Sequence, residues 1–213
     1  MTDPSASDWQ RALEKVRVPR PEAARWSPAM AKEWAPSLFS RGMDDVLDLL
    51  PQVLHECANF TMLEERLNYS SAERLMAVWP SRFPTAEKAK PYVGNPQGLA
   101  ELVYGGRMGN SRPGWGWLFR GQGPIMFTGY DTFRLLEDLS DAPDTFPYQD
   151  FTVQPWLVLQ PHIGLGATRL WWERRIPDGC LSDQVLIRRR VNGGKVGLDH
   201  CVELAQACRR AFA

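Results

Sequence analysis

The stretch His55-Glu56-Cys57-Ala58-Asn59-Phe60-Thr61-Met62-Leu63-Glu64-Glu65-Arg66-Leu67-Asn68-Tyr69-Ser70 sets Glu56 and Glu65 nine residues apart at the end of an apolar helix. On a continuous helix nine residues turn through about 900° and rise roughly 13.5 Å, which sends the two side chains to opposite faces. A helix that stops near Asn59, with the chain doubling back, brings both carboxylates to one groove instead. We take the second reading.

Upstream, residues 42–57 place Met43, Val46, Leu47, Leu50, Val53 and Leu54 at helical spacing, with Asp44 and Asp45 in the first turn, where the helix dipole favours acid. This predicts a core helix, bent or restarted at Pro51, that delivers His55 and Glu56 at its C-terminal end. Residues 1–40 read as a separate N-terminal helical segment packed on the domain formed by 41–213. In it Trp9 to Val18 is a helix ended by Pro19 and Pro21, and Ser27-Pro28 opens a second.

Downstream, Ser70-Ser71-Ala72-Glu73 reads as a capping box that starts a helix ending before Pro80. Glu65 is thereby left in an irregular piece between two helices. Thr85 to Lys90 forms a short helix, and Asn95-Pro96 caps a stronger one through Tyr104. From Gly105 to Gly129 glycines are too dense for helix. The alternation Trp115, Trp117, Phe119 and the run Pro124 to Thr128 predict a small β element as one groove wall. Helix resumes at Tyr130 to Leu139, followed by a polar loop from Ser140 to Asp150. Residues 151–163 read as a broken helix and Gly164 to Arg175 as a helix; Ser182 caps another to Val191, and Leu198 to Phe212 is the last.

The 213 residues are 44% hydrophobic, enough for a sizeable core, and 25 basic residues cancel 25 acidic ones. No global field therefore draws the chain to nucleic acid or an anionic membrane. No run approaches the ~18 apolar residues of a membrane helix, and the first residues carry no signal-like segment, so synthesis is expected in the cytoplasm. Cys57, Cys180, Cys201 and Cys208 lack CxxC spacing and read as reduced, buried thiols. His55, His162 and His200 form no HExxH pair, and no metal or organic cofactor is expected.

Two carboxyls on adjacent, non-coaxial segments suit cleavage of a glycosidic bond, in which one protonates the leaving oxygen and the other attacks or activates water. Glu56, at the end of an apolar helix, is the candidate acid because burial favours a neutral carboxyl. Glu65, in a polar loop, is the candidate base.

His55-Glu56, Glu65 to Ser70, Arg107-Met108-Gly109-Asn110, Arg120 to Gly129 and Val191-Asn192-Gly193-Gly194 occur in the order found in family 19 glycoside hydrolases. The chain most resembles the phage endolysin branch of that chitinase-like family, whose stretches read HESGGF, ENLNYS, NRMGN, RGRGPIQLTG and INGG. The resemblance runs from about residue 43 to about residue 200. It implies a mainly α (α+β), lysozyme-like, two-lobed domain with a small β element lining the substrate groove. It also implies an inverting mechanism with Glu56 and Glu65 in the roles above, and Thr128 helping to hold the water. Asn192 would contact substrate, Asn68 and Tyr69 would lie in the groove wall, and Trp115 or Trp117 would stack on sugar rings.

This chain departs from the pattern at Met126, which replaces a glutamine and cannot hydrogen-bond strongly to sugar, at Thr132, at Ala58-Asn59 in place of Gly-Gly, and after Asn192, where an expected arginine is missing. The implied activity is cleavage of β-1,4 bonds of peptidoglycan by a monomer that reaches the wall through a holin or a secretion system. Chitin hydrolysis and a non-catalytic glycan-binding derivative are the alternatives.

Overall fold

The structure, a computed structural model, describes residues 2–141, 147–180 and 182–212. Part of the expected loop from Ser140 to Asp150 lies outside them. Among the described residues eleven α-helices carry the fold: α1 (Ala6–Lys15), α2 (Arg20–Glu33), α3 (Met43–Glu56), α4 (Ala72–Val78), α5 (Ala86–Ala89), α6 (Pro96–Tyr104), α7 (Trp115–Leu118), α8 (Tyr130–Ser140), α9 (Pro161–Arg175), α10 (Gln184–Asn192) and α11 (Leu198–Phe212).

Two hydrophobic cores make two lobes. The larger gathers Trp9, Trp26 and Trp34 of the first helices, the apolar face of α3, and Phe119, Phe133 and Trp172. The smaller holds Leu67, Leu75, Phe83, Leu99 and Val103. The central helix α3 packs along α11 and touches α10. Its buried face is not wholly apolar. Asp48, fully buried, accepts hydrogen bonds from Ser182 N (2.7 Å), Gln184 Nε2 (3.0 Å) and Arg209 Nη2 (2.9 Å), and so ties α3 to both C-terminal helices.

Several boundaries differ from the sequence reading. The second helix does not start at Ser27-Pro28. It starts at Arg20, with Pro21 in its first turn, and runs through Pro28. Pro28 and Ala24 are both exposed, so the carbonyl that loses its donor faces water and the proline is tolerated. Likewise α3 continues through Pro51. The α10 cap is Asp183, which accepts from Val185 N and Leu186 N, and not Ser182.

The expected β element is a further correction. Trp115 to Leu118 is a short helix opened by Gly114 at φ +85°, so the alternation of aromatic residues does not mark extended backbone. Residues 124–128 do not form a strand either. Gly123 (φ +82°) and Met126 (φ +54°) reverse the chain inside a tight loop closed by Gln122 N→Phe127 O (3.0 Å) and Phe127 N→Gln122 O (2.8 Å). Only isolated bridges, Glu64 with Gln122 and Gln122 with Phe127, are present among the described residues. Two left-handed residues so close together leave too little extended chain for a ladder.

Candidate functional site

The helix that carries Glu56 ends as the spacing of the two glutamates requires. Ala58, Asn59 and Phe60 take φ values of +47°, +56° and +64°, a left-handed turn that an L-chain adopts only at a cost of roughly 1–2 kcal/mol per residue. Local bonds hold it: Asn59 N→Leu54 O (2.9 Å), Met62 N→Cys57 O (3.0 Å), Thr61 Oγ1→Ala58 O (2.6 Å) and Phe60 N→Cys57 Sγ (3.3 Å). The Phe60 ring stacks on Trp26 at 4.5 Å and anchors the turn in the core. The chain then runs back as an irregular segment, and Glu65 N donates to Gly121 O at 2.8 Å.

Glu65 is surrounded by donors. The Tyr104 hydroxyl, at the end of α6, lies 2.7 Å from both carboxylate oxygens, and Gly121 N donates to Oε2 at 3.3 Å. Burial first, and then the Glu65 charge, push the Tyr104 phenol well above its usual range, so it stays a protonated donor. Gly121 forms the floor. A Cβ there would sit 3.3 Å from Glu65 Cβ and 3.5 Å from both Glu65 Oε2 and Thr128 Oγ1, so the two side chains flank this backbone position closely. Thr128 Oγ1 donates to Met126 O at 2.9 Å.

Glu56 is bonded differently. Its Oε1 accepts from Arg188 Nη1 at 2.5 Å, and the Arg188 side chain is 1% exposed against 17% for Glu56. Arg188 is fixed in turn by Val196 O (2.6 Å from Nε) and Gln52 Oε1 (3.3 Å from Nη1). The apolar setting expected for Glu56 is therefore replaced by a buried guanidinium, so apolar burial does not argue for Glu56 as the acid, and that role rests on the family resemblance. The arginine missed after Asn192 is also corrected: it comes from α10, four residues before Asn192.

A cleft of about 560 Å³ along the seam of the two lobes brings together Glu56, Glu65, Tyr104, Thr128, Asn192 and the departing residue Met126. A second arm of about 700 Å³ shares Met62, Glu65 and Arg66 with the first and is lined by Asn68 and Trp117. One face of Trp117 is covered by Arg120, whose guanidinium carbon lies 3.9 Å from the ring centre. Two sequence candidates lie elsewhere. Tyr69 packs on Trp79 at 5.2 Å, and Trp115 stacks on Tyr130 at 4.5 Å; neither lines the cleft.

Tyr104 and Arg188 are the residues the sequence did not reveal. Tyr104 reads as the last residue before the Gly105-Gly106 helix stop. Arg188 reads as one of three successive arginines, of which it alone follows the buried Ile187 into the interior. Among the described residues no group of three or more His, Cys, Asp or Glu side chains is placed to hold a metal ion, and no helix is long and apolar enough to cross a membrane.

A helical domain of two lobes with two carboxylates on one cleft belongs to the lysozyme-like class of architectures. No family model matches the chain. A glycosyl hydrolase family 19 domain-containing protein of Haemophilus influenzae is 30% identical over 165 residues, covering 74% of this chain and 75% of that protein. The chain belongs to glycosyl hydrolase family 19.

Proposed function

We propose that the protein is a glycoside hydrolase that cuts β-1,4 bonds between amino sugars of peptidoglycan, as a monomer acting at the bacterial cell wall, with inversion at the anomeric carbon. The observation that carries this reading is the shared cleft: Glu56, Glu65 and Thr128 line one cavity, with hydrogen-bond donors fixed on each carboxylate. Glu56 gives its proton to the leaving oxygen as the C–O bond breaks. A water held between Glu65 and Thr128 attacks the opposite face of the sugar, and its proton passes to Glu65. Arg188 faces the charge that Glu56 acquires when the proton leaves and stabilises it in a low-dielectric setting. Tyr104 holds Glu65 in the orientation that points at the water.

An inverting pair stands roughly 6.5 to 9.5 Å apart to admit that water, and inversion makes the stereochemistry of the first product a direct check. The test is turbidity loss of permeabilised Gram-negative cells. Wild type is expected to clear them and Glu56→Gln is not, with muropeptides as products and nuclear magnetic resonance showing the inverted anomer. Cleavage of chitin oligomers without clearing would replace the substrate. Equal inactivity of both proteins on either polymer would sink the hydrolase reading. Passage to the wall through a holin or a secretion system is part of the same proposal and is checked by fractionating producing cells.

A further inference from the structure

The second arm of the cleft carries charges the acid and base do not use. Arg25, Arg66 and Arg120 line it together with Glu22, Glu64 and Glu65. Two of the cations are matched: Arg25 Nη1 lies 3.9 Å from Glu22 Oε2, and Arg120 pairs with Glu64 while covering Trp117. The Glu65 carboxylate is engaged by Tyr104 and Gly121. Arg66 remains. It is exposed, it lines both arms where they join, and among the described residues it has no ion-pair or hydrogen-bonding side-chain partner.

A neutral sugar chain offers such a guanidinium only weak acceptors. A carboxylate takes two of its N–H groups at once and cancels its charge. Resting on the reading that the cleft binds amino-sugar strands, we propose that Arg66 is a specificity-determining residue that binds a carboxylate borne on a side branch of the strand. In peptidoglycan that carboxylate has two sources, the acidic peptide stem and the lactyl group of those muramic acids that carry no stem, since an attached stem turns the lactyl carboxyl into an amide. Chitin has neither. Arg66 adjoins Glu65 in sequence, so a side branch held there fixes which sugar of the strand lies over the base.

The test measures binding, with the full chain carrying Glu56→Gln so that strands stay whole. Binding is read by fluorescence titration of the labelled protein with soluble glycan strands in two forms, stem-bearing strands released by an endopeptidase and strands freed of stems by an amidase, which turns each lactyl amide into a carboxylate, and with each form again after its carboxyls are blocked as amides. At low ionic strength strands with free carboxylates are expected to bind about three- to tenfold more tightly than their blocked counterparts, the range for one exposed charge-assisted contact, and the preference should fade at high salt. Adding Arg66→Gln should abolish the preference and Arg66→Lys should keep part of it. A preference confined to stem-bearing strands assigns the stem, and one confined to stripped strands assigns the lactyl group. A preference that survives Arg66→Gln, or that the Glu56→Gln protein lacks, overturns the proposal. Clearing assays on the protein with Glu56 intact stand apart: clearing with no role for Arg66 sinks only this inference, and a carboxylate preference without clearing sinks only the hydrolase reading.

Discussion

Tyr104 and Arg188 do for the two glutamates what neither glutamate does for itself. Tyr104→Phe removes one hydroxyl from a half-buried ring and leaves Glu65 with Gly121 N as its fixed donor. A hydrogen bond to a charged group is worth about 1.5–3 kcal/mol, so kcat should fall about tenfold or more, with KM nearly unchanged and the fold intact. A change confined to KM would show that Tyr104 only shapes the cleft. Arg188 is buried, and Arg188→Met leaves Glu56 Oε1 and Val196 O without their donor and Gln52 Oε1 with only the Cys201 thiol at 3.5 Å. Leaving a buried acceptor without its donor costs about 1–3 kcal/mol, which a denaturant titration would read as a lowered midpoint. Both glutamates were legible because carboxylates at that spacing demand an explanation. Their partners were not, because a tyrosine at a helix end and an arginine among arginines acquire meaning only when α6 and α10 are brought to them.

At the scale of elements, the decisive feature is the left-handed turn after α3. The need for a break near Asn59 was legible from the two glutamates, which an unbroken helix would separate. Asparagine is tolerant of positive φ, but Ala58 and Phe60 are not, and their presence hid the turn's handedness. Ala58 is exposed and contributes little packing there. Ala58→Gly is therefore expected to raise stability by about 0.5–1 kcal/mol, since the relief of strain outweighs the added freedom of the unfolded chain. Phe60→Ala should do the opposite, by about 3 kcal/mol or more, because it keeps the strain and loses the Trp26 stack. Thermal melts of the two variants would show shifts of opposite sign. The glycine-dense segment departs from the expected strand for a related reason. Aromatic alternation signals a strand only where consecutive residues share the extended region, and Gly114, Gly123 and Met126 each leave it.

Across the whole molecule, the C-terminal helix α11 closes against α3 directly behind the Glu56 and Arg188 pair, and a histidine couple sits in that seam. His55 Nδ1 and His200 Nδ1 are 2.9 Å apart, so one ring must donate and the other must offer a lone pair. Gly197, at φ +77°, lies against the other side of His55, where a Cβ would come within 2.1 Å of Nε2. Burial first, then the Arg188 charge, hold His55 below its ordinary value, with Glu56 opposing and His200 adding to the shift. The neutral ring is thus the form the fold prefers, whereas the unfolded chain takes up its proton near pH 6.5. In that window the unfolded state binds more protons than the native state, so stability rises with pH there. It is fully present above about pH 6.5 and is lost as the pH falls through the depressed folded value. Melting temperatures recorded from pH 7.5 down to pH 5 should therefore drop for the wild type and drop less for His55→Gln, whose amide does not titrate. An identical slope in both proteins would place the pH sensitivity elsewhere. Because the protonated ring would stand beside Arg188, acid should loosen the α3 to α11 seam and the support of Glu56 together, and activity should fall in the same window as stability.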